Sequence, residues 1–119
     1  MRSEVATMDT FRCIALSLPE TSESAHMAHP DFRVRGKIFA TLGYPDESWG
    51  MVKLAPEEQE VLVAAEPAVF VPVKGAWSRQ GCTNVRIDAA SETTLRSALI
   101  KAWRKAAPKR LAQNFEGGS

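Results

Sequence analysis

The sequence predicts an α+β fold, an antiparallel β-sheet meander with helices packed on one face. Three patterns lead to this prediction: strand-like alternation on both sides of a Gly-Lys pair, short turn-forming connections, and helical periodicity near both ends of the chain. The chain has 119 residues, of which 45% are hydrophobic and 24% are charged. We therefore expect a single domain over residues 1–119, with an ordered core at about 7–112 and a flexible tail at 113–119.

The N-terminal part of the chain predicts one helix followed by a polar connection. A helix is expected over Asp9–Leu18, where apolar residues recur at helical spacing and Pro19 follows directly. The next stretch, ETSESAHMA, is polar and rich in serine. It favours a loop that leads into a short strand near Ala25–Ala28.

The segment HPDFRVRGKIFATLG predicts a β-hairpin. Phe32 and Val34 point to one face of a strand, whereas Arg33 and Arg35 point to the other. Gly36 supplies the positive φ angle that a two-residue turn requires. The strands of this region are expected at about Phe32–Arg35, Ile38–Leu42 and Trp49–Leu54.

A second helix is predicted to begin at Pro56, because proline at the first helical position loses no hydrogen bond. Its expected buried residues are Val61, Leu62 and Ala65. The β-rich segment at 68–73 contains Pro72, which favours the edge of the sheet because proline cannot donate to a neighbouring strand.

The last strand is expected at Asn84–Asp88, followed by a helix that begins after Ser91 and ends near Pro108. The apolar residues of this helix repeat on one face. They are Leu95, Leu99, Ala102, Trp103 and Ala106.

Several classes of protein are disfavoured by the sequence. No apolar run is long enough to span a bilayer, and the N-terminus lacks the pattern of a secretory signal. Cys13 and Cys82 are too few for a disulfide scaffold or a zinc cluster, so a reducing cytoplasm is the expected location. His26 and His29 lack a third ligand, and we expect neither a metal nor a cofactor.

Enzymatic activity is not expected either. The chain contains no GxSxG, P-loop or GxGxxG motif, and no catalytic residue is assigned. Cys82 lies near Arg79, and a nearby cation would lower its pKa. The same cysteine can equally be a small residue that fills a tight bend.

Four segments resemble the MmcQ/YjbR-like family of small bacterial proteins. They are FRCIALSLPETSES, HPDFRVRGKIFATLG, WGMVKLAPEEQEVLVAAEP and GAWSRQGCTNVRI, and AWRKAAPKRLA fits one branch of that family. The resemblance covers about Asp9 to Ala112. It implies a compact α+β structure likened to a double-wing DNA-binding arrangement and to the frataxin-like fold. It implies no catalytic residues.

The uneven charge distribution has two interpretations, a face for an acidic partner or two complementary halves that fold together. Residues 1–60 contain 6 Lys/Arg and 10 Asp/Glu, whereas residues 61–119 contain 9 and 4. Nucleic acid binding uses cations for phosphates and aromatic rings for stacking on bases. The expected nucleic-acid-binding residues on and near the sheet are Arg33, Arg35, Lys37, Lys53, Arg86, Trp77 and Arg79. A second cationic cluster consists of Lys101, Arg104, Lys105, Lys109 and Arg110, and solvation of a helix end explains it equally well.

Two other interpretations remain open. A small molecule could bind at the loop above the sheet, with Trp77, Arg79, Gln80, Asn84 and His29 as its ligand-binding residues. Alternatively, the chain is an adaptor that docks partner proteins through its acidic and basic halves.

Overall fold

The structure is a computed structural model and describes residues 6–26, 29–43, 46–75 and 80–115. Three of the four described α-helices and most of the six strands form where the sequence predicts them, whereas the short helix after Pro108 was not predicted. In chain order the elements are α1 (Met8–Ser17), β1 (Thr21–His26), β2 (His29–Val34), β3 (Lys37–Leu42), β4 (Trp49–Lys53), α2 (Pro56–Ala65), β5 (Phe70–Pro72), β6 (Cys82–Arg86), α3 (Glu92–Ala106) and α4 (Lys109–Asn114).

All six strands pair in one antiparallel sheet with the order β1-β2-β3-β4-β6-β5. Helices α1, α2 and α3 pack on the same face of this sheet. Gly50 of β4 allows the ring of Phe11 from α1 to approach, because a Cβ at this glycine would lie 2.8 Å from the ring. The predicted α+β class, a meander with helices on one face, is confirmed.

The central hairpin has a two-residue turn, as predicted, but the turn residues are Arg35 and Gly36, one position earlier than the predicted strand bounds placed it. Val34 pairs with Lys37, and both turn residues have positive φ angles, 51° at Arg35 and 85° at Gly36. Two positive φ angles are the signature of a type I′ turn, whose twist matches that of the flanking strands. A register shift next to Phe32 lets β3 bury both Phe39 and its neighbour Ala40 on the helical side of the sheet.

The polar segment after α1 is a strand rather than the predicted loop. All six residues of β1 pair with β2, although Ser22 to Ala25 are exposed. The prediction was wrong because hydrophobic patterning detects only strands that bury side chains. Here the ladder with β2 and a two-pronged hydrogen bond from Arg12 to Glu23 position the strand.

The predicted buried side of α2 is also wrong. Val61 is 64% exposed and Ala65 is exposed, whereas Leu62 is half-buried against the core. The buried residue of this helix is Gln59, which is polar. Hydrophobic spacing therefore selected the wrong face of α2.

The last strand begins two residues earlier than predicted, at Cys82, and a 3₁₀ turn at Ile87–Ala89 follows it. The predicted apolar face of α3 is confirmed, with Trp103 fully buried. The Trp103 indole Nε1–H donates to the carbonyl of Pro19 at 3.0 Å. Helix α4 follows Pro108. After it, the Phe115 ring packs against Trp103, with 4.9 Å between the ring centroids.

Candidate functional site

The face of the sheet opposite the helices, called the open face below, carries a row of side chains that crosses all six strands. Register and alternation place these residues side by side. They are Ser24, Asp31, Thr41, Met51, Asn84 and Val71. The same face also carries the side chains of Arg33, Lys53, Arg86 and His29. Each of these residues lies two positions along its strand from a residue of the row, and residues two apart on a strand face the same side.

Arg33 forms an ion pair with a carboxylate that is not among the predicted site residues. Its Nε and Nη2 atoms donate to the two oxygens of Asp31 at 2.9 and 3.2 Å, and Asp31 is only 1% exposed. This hydrogen bonding raises the pKa of Arg33. Asp31 could have been found from the sequence, because residues two apart on a strand point to the same face.

Arg35 and Arg86 are also paired. Arg35 donates from Nε and Nη2 to Glu20 at 2.6 and 3.2 Å, which raises the pKa of Arg35 and lowers that of Glu20. Arg86 donates to Asp88 at 3.1 Å, and its guanidinium lies 5.7 Å from the Trp49 ring centre. The three described arginines of the predicted nucleic-acid-binding set thus each have a carboxylate partner within the protein.

The lysines differ from these arginines. Lys37 is exposed directly after the hairpin turn, and Lys53 is half-buried opposite Cys82. Within the ranges that the structure describes, neither lysine forms an ion pair. Burial raises the pKa of the Cys82 thiol, and the charges of Lys53 and Lys105 only partly oppose the rise. Among the described residues, burial therefore outweighs the nearby cations at Cys82; Arg79, the cation expected to activate it, lies outside them.

The C-terminal cations lie at the same end of the molecule as the hairpin turn. Trp103, near the end of α3, contacts Pro19, and the next residue, Glu20, pairs with Arg35 in that turn. Lys74 extends this group, because Val73 before it donates its N–H to Cys82, the partner of Lys53. We call this region the basic end; it comprises Lys37, Lys53, Lys74, Lys101, Arg104, Lys105, Lys109 and Arg110.

No residue of the basic end forms an ion pair with a carboxylate in the described part of the chain. Lys101 donates to the Ser97 hydroxyl at 3.4 Å, and Arg104 lies 5.7 Å from the Phe115 ring centre. The sequence interpretation missed Lys74, because a lone lysine in a loop carries no pattern. The sequence also does not show that the hairpin turn and the C-terminal cations lie close together, because more than 60 residues separate them.

The opposite end of the molecule is acidic and contains two shallow clefts. One, of about 360 Å³, lies between α1 and α3 and is lined in part by Asp9, Glu92 and Arg96. The other, of about 440 Å³, is lined in part by Asp9, Glu47 and Asp88.

Of the described residues of the predicted small-molecule site, none lines either cleft. Gln80 is exposed just before β6, and Asn84 lies in the row on the open face. His29 is half-buried at the start of β2, beside Gly43. Trp77 and Arg79, which both predicted sites share, lie outside the described residues.

None of the described helices is both long and apolar enough to cross a membrane. Across the ranges given above, no three His, Cys, Asp or Glu side chains converge as a metal site would require.

Comparisons with known proteins agree with this architecture. The solved structure of the Deinococcus radiodurans protein DR2400, which contains the domain named DUF419, superposes with a TM-score of 0.73. The likeness covers 100% of this chain and 99% of that one at 21% sequence identity, and so supports the fold. No curated protein matches the sequence. A family profile described as YjbR matches residues 16–105, which is most of the chain. On this match the chain belongs to the YjbR family.

Proposed function

We propose that this protein is a non-enzymatic binding module that contacts the phosphates of nucleic acid through its basic end. The observation that carries the proposal is the absence of ion pairs at that end among the described residues. An unpaired cation can neutralise a phosphate and release its counterions without first giving up an internal partner. A cytoplasmic location belongs to the same proposal.

In this proposal, the arginines of the sheet contribute less to phosphate binding than the cations of the basic end. A two-pronged hydrogen bond between a guanidinium and a carboxylate is among the stronger polar contacts in proteins. Arg33 would have to leave Asp31, a buried carboxylate, without its partner in order to bind a phosphate. The lysines and the C-terminal cations carry no such cost.

The proposal predicts modest affinity that depends on salt. The net charge is only +1, and Glu57 and Glu58 in the first turn of α2 follow soon after Lys53. Long-range attraction for a polyanion is therefore weak, and contact ion pairs must supply most of the binding.

The test is fluorescence anisotropy with labelled single-stranded and double-stranded DNA and RNA, in a salt titration that begins at low ionic strength. The double variant Lys105→Gln/Lys109→Gln removes two charges from the basic end. The control Arg86→Gln/Arg96→Gln removes two exposed charges that are paired with carboxylates. We expect the first variant to weaken binding and to reduce the salt slope by about two, and the control to stay close to wild type.

Two results would reject the proposal. Wild-type protein that binds none of the four nucleic acids at low salt would exclude the function. An equal loss in both double variants would show that the basic end is not the binding surface.

A further inference from the structure

We infer that two copies of the chain associate through the outer edge of β1, with the two β1 strands antiparallel about a twofold axis. The two six-stranded sheets would then form one continuous sheet. This inference concerns self-association and does not depend on the proposed function.

The backbone of β1 has hydrogen-bonding groups directed away from the sheet. Among the described residues, no strand pairs with the side of β1 that faces away from β2. Val34 closes the two-residue turn with Lys37 and therefore bonds to β3. Because the backbone groups of successive residues in a strand point to opposite sides, the N–H and C=O groups of Asp31 and Arg33 point toward β1. Their partners in β1, Ser24 and Ser22, therefore direct their own N–H and C=O groups toward β2. The N–H and C=O groups of Thr21, Glu23 and Ala25 consequently face outward.

The two edges of the sheet differ in their protection against pairing. The β5 edge is three residues long and ends in Pro72, which has no N–H to donate. The β1 edge is twice as long and contains no proline, lysine, arginine or register shift. Soluble proteins usually protect a long free edge with one of these features. The one charged residue of the β1 edge, Glu23, is held by Arg12, and a partner strand that covers the edge would explain why it has no further protection.

An exposed leucine stands beside the same edge. Leu16 of α1 is 41% exposed, and it follows Arg12 by one helical turn, so both side chains lie on one side of the helix. Arg12 donates to Glu23 of β1 at 3.0 and 3.2 Å, which directs that side of α1 toward β1. Pairing of two β1 strands would bring two α1 helices together and bury both leucines.

A second copy of this chain fits the edge because the strand is complementary to itself. A twofold axis at Ser24 places Ser24 opposite Ser24 and Glu23 opposite Ala25 of the other copy. The two outward-facing positions then form four backbone hydrogen bonds. Glu23 is the one carboxylate of the strand and is already paired with Arg12, so like charges are not forced together. The interface is small, and we expect a dimer with Kd in the micromolar range or weaker.

Sedimentation velocity over a range of protein concentrations tests the inference. Wild type should shift from monomer to dimer as concentration rises. Leu16→Glu should raise the dimer Kd by about tenfold or more, because it places two carboxylates where two leucines meet. Val61→Glu is the matched control, since Val61 is 64% exposed on α2 and distant from the β1 edge.

Ala25→Pro tests the backbone pairing itself. It removes an outward N–H and leaves the bonds between β1 and β2 in place, and circular dichroism checks that the variant folds. We expect this variant to be a monomer. A wild type that remains monomeric at every concentration, or equal effects of Leu16→Glu and Val61→Glu, would overturn the inference. A folded Ala25→Pro variant that still dimerises would also do so; if it fails to fold, the comparison of the two glutamate variants decides.

Discussion

Gly81 is a position where local geometry permits a single residue type. Its φ angle is +85°, and a Cβ added there would collide with the backbone carbonyl of Leu54. The two residues are also hydrogen-bonded, since the Leu54 N–H donates to the Gly81 carbonyl at 2.9 Å. Gly81 thus allows the start of β6 to approach the end of β4.

We expect Gly81→Ala to lower the free energy of unfolding by about 3 kcal/mol or more, since the collision involves backbone that cannot move aside. Gly75→Ala is the control, with a φ of +79° but open space around the added Cβ. It should cost about 1 kcal/mol from backbone strain alone. Urea denaturation of both variants measures the difference, and equal losses would contradict the explanation.

The two cysteines should differ strongly in reactivity. Cys13 is exposed, whereas Cys82 is buried and burial raises its pKa. A thiol reagent such as Ellman's reagent should modify Cys13 at once and Cys82 on the order of a hundredfold more slowly, because Cys82 must wait for local opening. Cys13→Ser should abolish the fast phase. A fast phase that survives in this variant would mean that Cys82 is accessible and activated.

At the scale of elements, α2 is attached to the sheet in part by one buried polar side chain. The Gln59 amide donates to the Cys82 carbonyl at 3.1 Å and to the Thr83 hydroxyl at 3.0 Å. That hydroxyl in turn donates to the Gly81 carbonyl. The helix is therefore attached to β6 by a buried hydrogen-bond network in addition to the packing of Leu62 and Val63 against the core.

Gln59→Ala should cost about 1–3 kcal/mol, because it leaves a buried carbonyl and hydroxyl without this donor. Hydrogen exchange should become faster in α2 before it does so in the sheet. Glu60→Ala, at an exposed neighbouring position, should remain within about 0.5 kcal/mol of wild type. Uniformly faster exchange across the sheet and α2 would argue against a local role for Gln59.

The elements that sequence analysis identified are those with local signals. The β2–β3 hairpin has a turn encoded by adjacent residues, and α3 repeats apolar residues at helical spacing. By contrast, β1 exists through pairing with β2, and α2 is attached through Gln59. Neither cause is visible in a hydrophobic pattern.

The candidate site also contains features that the sequence shows and features that depend on the fold. The arginines could be identified from the sequence, and the pairing of Arg33 with Asp31 follows from strand alternation. The pairing of Arg35 with Glu20, 15 residues away, requires the fold. The basic end likewise exists because the fold places the end of α3 beside the hairpin turn.

At the scale of the whole molecule, the charges separate into a basic end and an acidic end although the net charge is +1. The described basic end offers flexible cations, and the large aromatic residues Phe32, Phe39 and Phe70 are buried in the core. If this end binds nucleic acid as proposed, cations without aromatic partners for base stacking would contact phosphates rather than base edges.

Binding at the basic end should therefore be nearly independent of sequence. We expect duplexes of equal length and unrelated sequence to compete within about threefold of one another, since phosphate positions are the same in each. Three to four neutralised phosphates would give a log–log salt slope of about −2.7 to −3.6 for duplex DNA. Competition anisotropy with several duplexes at two or more salt concentrations measures both quantities. A strong preference for one duplex, together with a shallow salt slope, would mean that base contacts dominate and that residues outside the basic end carry the recognition.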